Sequence, residues 1–472
     1  MRKFSILIVL SILGSYFPVC KAQKNPEKVI KSIYNNSQHS DKSYEMLRRI
    51  CKEAPGRLPG THELEKAIEL VKETLIQNGA DSVWLIPVIS SGWKEVKKPI
   101  VQLILGDDKY INLNAVSLGQ SVSSAEKGID AQVVMIDNKS QIDSLGEAGL
   151  KGKIVFFNLK MQERRDYGKM VWQRVQGSSL VAEYGAIGVI IRSLTTKYDD
   201  VPHTGVMRYA DNTKQIPAVA LSWQAADSFE INLQKNPDLK VHLEVFCDNP
   251  GLINTNNVVG EIKGSKYPND IFLLTGHLDA WFNTEGANDD GGGVAQIIDV
   301  IRIFKELKIR PKHTIRIMPY IDEEQFNSGI VQYAASIADD KQTHLIEIEV
   351  DNGIGVPYGF SIQADSSVFT KQVKWRKLLE PYQIDMLRFS NSYAESWPLY
   401  QKNKIILGHL LCEDVHYFDY HHSANDVFES VDKTNLQSGS AALATFIYLL
   451  DKMDVIDNSK RKPEEIKAQM SR

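Results

Sequence analysis

Short apolar runs alternate with helix-spaced amphipathic stretches through most of the chain, and this alternation predicts an α/β fold. In the second half, the apolar runs predict buried strands at 258–262, 271–274, 314–320, 345–350 and 404–411. After the second of these runs, Val294, Ile297, Ile301 and Phe304 recur at the spacing of one helix face. The pattern favours a mostly parallel, mixed sheet sandwiched between layers of helices.

The pattern differs in the first half of the chain. Residues 26–52 predict two helices, and Thr61 is expected to cap a third helix that ends at Asn78. Strands are expected near 83–88 and 101–105. From about 113 to 247 the pattern changes to short Val/Ile-rich strands, at 131–136, 153–158, 188–191 and 218–221. We expect a small inserted α/β domain at 113–247, between main-domain parts at 23–112 and 248–472.

Composition narrows the class of protein. The chain has 472 residues, of which 43% are hydrophobic and 24% charged, with a net charge of −4. These are globular proportions, and the absence of basic runs argues against a nucleic-acid partner. No interior stretch is apolar enough to span a bilayer. Cys51, Cys247 and Cys412, which follow the first 22 residues, allow one disulfide at most.

The first 22 residues resemble an export signal. Arg2 and Lys3 precede a short apolar run at 6–16, and Cys20 and Ala22 suit a cut before Gln23. A single anchoring helix is one alternative, but the apolar run is too short to span a membrane. A lipoprotein cut before Cys20 is another, but Pro18 and Val19 are poor residues for that cleavage site. We expect a secreted or periplasmic protein without a membrane anchor after cleavage.

Polar side chains follow the predicted strands at the points where these strands end. His277 and Asp279 come after the strand at 271–274, Glu323 and Glu324 after 314–320, and Asp351 after 345–350. Because the carboxyl ends of parallel strands meet at one edge of a sheet, these side chains are expected to lie together. Carboxylates crowded around one histidine repel each other unless a cation lies among them. Histidine with carboxylates suits zinc or a similar divalent metal.

Two loops add further candidates. One carries Asp289 and Asp290, with glycines at 286 and 291–293, and the other carries His421 and His422. Taken singly, each signal has a plainer interpretation as an acidic turn, a helix cap or a polar loop. Their occurrence together in one domain favours a metal site. His203, in the expected insert, is interpreted as a loop histidine hydrogen-bonded locally, and the insert is expected to supply no metal ligand.

At these motifs the chain resembles the co-catalytic zinc aminopeptidase-like peptidases, and within them the carboxypeptidase members. The matching motifs are Gly276-His277-Leu278-Asp279, the run from Gly286 to Gly293, Glu323-Glu324, Glu349-Val350-Asp351 and His421-His422-Ser423. The likeness also covers residues 54–61, 193–205 and 260–267, and so nearly all of the mature chain. It implies that the middle of the chain is a protease-associated domain.

The resemblance implies two Zn²⁺ ions and a set of ligands. His277 and Asp351 would hold one zinc, Glu324 and His422 the other, and Asp289 would bridge the pair. His422 is preferred to His421 because members of the family carry an aspartate four positions after this ligand, and Asp426 stands there.

The resemblance also assigns two catalytic roles. Asp279 would orient His277, and Glu323 would be the general base for a hydroxide that bridges the two metals. The chemistry is electrostatically coherent, since zinc lowers the pKa of bound water to about 7 and polarises a carbonyl.

The expected function is that of an exported di-zinc metallo-exopeptidase acting on dipeptides or short unblocked peptides, in the manner of a carboxypeptidase or dipeptidase. An aminopeptidase of the same family is an alternative, and the end of the peptide that is recognised stays open. A non-catalytic binding protein on this fold is disfavoured because every ligand position and the base are filled. A single-zinc, glutaminyl-cyclase-like transferase is disfavoured by His277. Residues 388–397 depart from the carboxypeptidase pattern, which leaves side-chain preference open. The expected partner is a short peptide substrate, and a homodimer is an alternative to a monomer.

Overall fold

The computed structural model describes residues 25–106, 109–338, 341–363, 372–389 and 395–452. The expected signal segment and part of the divergent segment at 388–397 lie outside the described residues. The helices are α1 (Pro26–Gln38), α2 (Lys42–Glu53), α3 (His62–Gln77), α4 (Ser140–Leu150), α5 (Tyr167–Met170), α6 (Trp172–Val175), α7 (Gly177–Ala182), α8 (Trp223–Lys235), α9 (Gly292–Glu306), α10 (Ser328–Ser336), α11 (Gln372–Leu379), α12 (Trp397–Asn403), α13 (Tyr417–Tyr420) and α14 (Lys433–Lys452).

All described strands are connected in one extended hydrogen-bonded sheet, with the order β13-β12-β14-β11-β9-β10-β8-β4-β5-β6-β7-β3 and with β1 beside β8 and β2 beside β1. The strands are β1 (Ser82–Gly106), β2 (Lys109–Asn112), β3 (Ala115–Ser117), β4 (Ile129–Ile136), β5 (Ile154–Phe157), β6 (Gly188–Arg192), β7 (Ala218–Leu221), β8 (Lys240–Ile262), β9 (Tyr267–His277), β10 (His313–Tyr320), β11 (Thr343–Glu349), β12 (Pro357–Ile362), β13 (Met386–Phe389) and β14 (Ile406–Cys412).

The main-domain part of the sheet is mostly parallel, as the strand–helix alternation predicts. Strand β9 pairs in parallel with β10 and β11, and β11 with β14. Strands β8 and β12 add antiparallel neighbours, so the sheet is mixed. The carboxyl ends of β9, β10 and β11 therefore meet at one edge, where His277, Glu323 and Asp351 follow them. The predicted α/β class, with helices packed against a mixed sheet, is confirmed.

Strand β1 corrects the sequence-based picture of two short strands at 83–88 and 101–105. It is a single strand of 25 residues that pairs antiparallel with β8 along most of its length. Bulges beside Gly92 and Glu95 shift the register and let the two strands bend. This two-stranded ribbon runs from the main domain into the middle segment, residues 113–247. The polar residues between the two predicted strands do not interrupt it, because they continue to pair with β8.

The middle segment has its own strands and core. Strands β4, β5, β6 and β7 pair in parallel, and β3 lies antiparallel to β7. Val133, Phe156, Val219 and Phe229 belong to one cluster of buried side chains, and a second buried cluster covers the other face of these strands. The Val/Ile-rich runs thus form parallel strands, of which β5, β6 and β7 are fully buried and β4 is partly buried.

The helices of the main domain pack as their patterns predict. Thr61 caps α3 by accepting a hydrogen bond from the Leu64 backbone N–H, and Asp432 caps α14 by accepting one from Asn435. Helix α9 is buried along nearly its whole length between the sheet and the first helices. Cys51, Cys247 and Cys412, the cysteines in the described part of the chain, are free thiols, so none of these three is paired in a disulfide. Among the described residues, no helix is both long and apolar enough to cross a membrane.

Candidate metal centre

Asp289 lies between the two histidines of the site. Its Oδ1 is 3.1 Å from His277 Nε2, and its Oδ2 is 3.6 Å from His422 Nε2. Each carboxylate oxygen therefore faces a different histidine, which is the arrangement expected of a bridging ligand. Asp351 Oδ2 lies 3.8 Å from His277 Nε2, and Glu324 Oε2 lies 2.9 Å from His422 Nε2. The five predicted ligand residues thus lie together, with Asp351 beside His277 and Glu324 beside His422.

Asp279, which follows the neighbouring strand β9, holds the turn after β10 in place. The two oxygens of its buried carboxylate accept hydrogen bonds from the backbone N–H groups of Glu323 (3.1 Å) and Glu324 (3.2 Å). His277 Nδ1 lies closer to the Asp279 backbone oxygen (3.1 Å) than to its carboxylate (3.7 Å). Asp279 thus orients the glutamate pair directly, in addition to the expected effect on His277.

A second buried aspartate, Asp426, holds the loop before α9. Its carboxylate accepts hydrogen bonds from the backbone N–H groups of Asn288 (2.7 Å) and Asp289 (3.1 Å) and from the Asn288 side chain (2.9 Å). In the sequence, Asp426 is recognised by its spacing from His422. In the structure, the Asp426 side chain instead hydrogen-bonds to the loop that carries Asp289. Arg57 supports the same loop by donating to the backbone oxygens of Glu285 and Gly286.

Several buried carboxylate oxygens at this edge accept no hydrogen bond. They are Asp289 Oδ2, Asp290 Oδ2, Glu324 Oε1 and Asp351 Oδ1. A buried carboxylate without a partner is strongly unfavourable, and several of them together repel each other. Divalent cations among these oxygens would satisfy them, so the residues present fit a pair of metal ions. Three sets of residues place their ligand atoms within 4.8 Å of one another. The first is His277 with Asp290 and Asp351, the second is His277 with Asp289 and Glu324, and the third is Asp289 with His421 and His422.

The electrostatics of the metal-free chain agree with this crowding. Burial, together with the neighbouring Asp289 carboxylate, raises the pKa of Glu324 well above its ordinary value, and burial raises that of Asp351 to about 7. Burial, aided by the Arg174 cation, lowers the pKa of His422 well below its ordinary value. His422 is therefore neutral, which is the form that binds a metal.

His203 corrects one sequence-based interpretation. Its ring is buried, and Nδ1 lies 2.6 Å from the backbone oxygen of His421, which is 218 residues away. The hydrogen bond is therefore not local. Sequence reasoning could not find this partner because nothing in a turn motif indicates which distant loop it meets.

Asp290 is a functional candidate that the expected ligand set omits. Its buried carboxylate lies with His277 and Asp351, and its Oδ1 accepts a hydrogen bond from the Gly293 backbone. A side chain at Gly293 would overlap the Asp290 carboxylate, which explains the glycine there. The adjacent acidic pair signals this position in the sequence, although it does not tell which residue is the ligand.

A cleft of about 1270 Å³ opens over the metal centre. It is lined by side chains of the main domain, including Glu323, Asp351 and Glu395, and by Tyr167 and Arg174 of the middle segment. Arg174 is 5% exposed, donates to the Tyr167 hydroxyl at 2.8 Å, and places Nη1 3.3 Å from His422 Nδ1. No sequence signal marks Arg174, since its place in the cleft depends on how the two parts of the chain meet.

Comparison with known proteins identifies the family. The model of peptidase family M28 matches residues 257–447, the stretch that holds every expected ligand. Residues 257–447 are thus similar to peptidase family M28. Carboxypeptidase Q from Mus musculus is 28% identical over 434 residues, which cover 91% of this chain and 90% of the mouse protein. The Homo sapiens carboxypeptidase Q is also 28% identical and covers 90% of this chain and 88% of the human protein.

Solved structures agree with this family. A peptidase M28 precursor from Shewanella amazonensis SB2B matches with a TM-score of 0.85 and 28% identity, over 90% of this chain and 96% of that one. An aminopeptidase from Aneurinibacillus sp. strain AM-1 matches with a TM-score of 0.60 at 18% identity, over 89% of this chain and 95% of that one, and supports the fold alone. The chain is thus a metallopeptidase on the M28 exopeptidase fold, which confirms the resemblance drawn from its motifs.

Proposed function

We propose that this M28 peptidase is an exported di-zinc exopeptidase that hydrolyses dipeptides or short peptides with free ends. The observation that carries the proposal is the group of unsatisfied, buried carboxylate oxygens facing two histidines below an open cleft. The similarity to carboxypeptidase Q over nine-tenths of the chain supports a carboxypeptidase-like activity.

In this proposal, His277 and Asp351 would hold one zinc ion, Glu324 and His422 would hold the other, and Asp289 would be shared between them. When bound, the two zinc ions lower the pKa of water and polarise the scissile carbonyl. The distances of Asp289 to both histidines support its bridging role.

Glu323 is proposed as the general base. Its backbone N–H is fixed on Asp279, and its side chain lines the cleft next to the ligand Glu324. The Glu323 carboxylate takes a proton from the attacking water and delivers it to the nitrogen of the leaving amine.

Arg174 is proposed to bind the carboxylate end of the substrate. No ion pair within the described part of the chain includes Arg174, and its buried Nε has no hydrogen-bond partner. A buried guanidinium without an acid partner is unfavourable, whereas a substrate carboxylate would supply two matched oxygens. Gly205 permits this placement, because a side chain there would overlap the guanidinium.

The aminopeptidase alternative also has a supporting observation. Glu395 lines the same cleft beside Glu323 and Asp351, and a carboxylate there would attract a substrate ammonium group. A dipeptide has both charged groups, so the two alternatives differ only in which end is indispensable.

The deciding experiment uses the purified mature protein. Bound metals are counted, and kcat/KM is measured for a free dipeptide and for its N-acetylated and C-amidated forms. The proposal expects two zinc ions per chain and a strong preference for a free carboxylate. A preference for the free amine alone would establish the aminopeptidase, and absence of both metal and peptidase activity would contradict the proposal.

Arg174 is tested with the same substrates. Arg174→Met keeps the apolar stem of the side chain but removes the charge, and Arg174→Lys keeps the charge without the planar fork. The ratio of kcat/KM for the acid over the amide should fall by roughly 10- to 100-fold in Arg174→Met, with Arg174→Lys intermediate. Equal losses on both substrates would show that Arg174 is only structural.

Export and domain organisation are part of the proposal. We infer that a signal peptide is removed near Gln23 and that residues 113–247 are a protease-associated domain inserted into the peptidase domain. The separate buried clusters of the middle segment support the insertion. N-terminal sequencing of the exported protein should begin near Gln23, and an intact Met1 would contradict the first inference.

A further inference from the structure

The late loop, residues 417–428, carries His422 and is held from two sides. Its second half is anchored to the main domain. Thr284 Oγ1 donates to the Asp426 backbone oxygen at 2.9 Å, and the Asp426 carboxylate accepts from the Asn288 backbone at 2.7 Å. Phe428 N–H donates to the Glu285 carboxylate at 2.9 Å. These contacts fix the loop after His422 but not before it.

The first half of the late loop is anchored by residues 193–204 of the middle segment. Thr195 Oγ1 donates to the Phe418 backbone oxygen at 2.6 Å, and His203 Nδ1 lies 2.6 Å from the His421 backbone oxygen. The Thr204 backbone N–H donates to the His422 backbone oxygen at 3.0 Å. Thr195, His203 and Thr204 are all buried, so water cannot replace these bonds at low free-energy change.

The backbone of His422 depends on these anchors. Its φ is +60°, in the left-handed region that residues other than glycine seldom adopt. Such a conformation persists only where the surrounding structure determines it. Here the His421 backbone oxygen lies 2.6 Å from His203 Nδ1, and the His422 backbone oxygen accepts from the Thr204 backbone N–H at 3.0 Å and from the Asn283 side chain of the main domain at 3.2 Å. The His422 ring also lies against the middle segment, with Nδ1 3.4 Å from the Thr204 backbone oxygen.

We propose that residues 193–204 position His422 as a metal ligand, so that the Glu324–His422 half of the centre depends on the middle segment. This inference rests on the two-metal site proposed above. The His277–Asp351 half follows β9 and β11 of the main domain and does not depend on these residues. The middle segment would then set the affinity of one metal without supplying a ligand to it.

A matched pair of variants tests the proposal. Thr195→Val removes a hydroxyl that bonds the late loop. Thr314→Val removes an equally buried hydroxyl at the start of β10, the end of the strand away from the site, where it donates to the Pro268 backbone oxygen at 2.9 Å and accepts from the Gly264 backbone at 3.0 Å. Zinc affinities are measured on the full-length mature protein by competition with a chromogenic chelator. Thr195→Val should weaken one of two sites about 10-fold or more, and Thr314→Val should leave both unchanged.

Thermal unfolding of both variants serves as a control, because the two substitutions should lower stability to a similar extent. Thr195→Ser, which keeps the hydroxyl, should restore the zinc affinity. If Thr195→Val does not fold, His203→Phe carries the test, since it keeps a buried ring and removes the bond to His421. The proposal is overturned if these variants match Thr314→Val in both affinities, or if both sites weaken equally. A wild-type protein that binds no zinc would instead overturn the proposed function.

Discussion

At the scale of single residues, the adjacent glutamates after β10 differ in their contacts. Glu324 is 4% exposed and lies 2.9 Å from His422, with its other oxygen unsatisfied. Glu323 lines the cleft and is fixed through its backbone on Asp279. Adjacent side chains point in different directions, so one can face a metal and the other the attacking water.

Replacing each glutamate by glutamine should separate the two roles. Glu323→Gln should keep both metals, because the amide has the same shape, but kcat should fall roughly 10²–10⁴-fold since the amide cannot accept the proton. Glu324→Gln should lose one metal. Metal stoichiometry and kcat are measured on both variants. The opposite pattern, with one metal lost from Glu323→Gln only, would reverse the assignment.

At the scale of elements, the site depends on turns that other strands hold in place. The backbone of the turn after β10 donates two hydrogen bonds to the carboxylate of Asp279, a residue that follows β9. Parallel pairing of β9 with β10 brings the donor and acceptor together. The register between β9 and β10 therefore sets the distance between Asp279 and the Glu323–Glu324 pair.

Asp279→Asn tests this coupling. An amide has one acceptor oxygen in place of two, so one of the backbone N–H groups of Glu323 and Glu324 loses its partner. We expect activity to fall roughly 10- to 100-fold, with a weaker metal site at Glu324. Metal affinity and kcat are compared with wild type. Unchanged activity would mean that the turn keeps its shape without the second hydrogen bond.

A second element-scale contact lies between β4 and β8. His242 lies between the carboxylates of Asp130 (2.6 Å) and Glu244 (2.9 Å), far from the candidate metal ligands in sequence. Burial opposes the charge on His242, but the two carboxylates raise its pKa above 6.5. The stabilisation is therefore full below pH 6.5 and is lost as the pH rises through the folded-state value.

His242→Gln should reveal this dependence. At pH 5.5 the variant should be less stable than wild type by about 0.5–1 kcal/mol, and the difference should shrink by pH 9, where both side chains are neutral. The melting temperatures of the two proteins are compared across this range. A difference that grows with pH would contradict the sign of the shift.

At the scale of the whole molecule, the cleft is formed where the middle segment meets the main domain. The ligands and Glu323 come from the main domain, and Arg174 and the anchors of the late loop come from the middle segment. The crowded carboxylates disfavour the folded chain without metal, so bound metals should stabilise the entire protein.

Removal of metal tests this view. A ligand that binds only the folded state adds about 4 kcal/mol when it is present at 1,000 times its dissociation constant. Chelator-treated protein should therefore melt several degrees lower than protein with zinc, and added zinc should restore the melting temperature. The shift should be smaller in Glu324→Gln, which is expected to hold one metal. A melting temperature insensitive to chelator would argue against a metal centre here.

The sequence alone determined the α/β class, most strands and the residues that gather at the sheet edge. Apolar runs with the length of a strand are buried because removing apolar surface from water is favourable. Polar residues directly after such runs lie at the carboxyl ends of the strands in a parallel sheet. His277, Glu324 and Asp351 could be found in this way. The continuous strand β1 could not, because its polar stretch is stabilised by pairing with β8, more than a hundred residues away.

Tertiary structure alone decided which distant groups meet. His203 bonds to the late loop, Asp426 to the loop with Asp289, and Arg174 lies beside His422, across sequence separations of 218, 137 and 248 residues. Each contact depends on how buried surfaces of two parts of the chain pack, which local patterns do not encode. The sequence therefore predicted the candidate ligands, whereas the fold determined which groups hydrogen-bond to the loops that carry them and which charged side chains line the cleft.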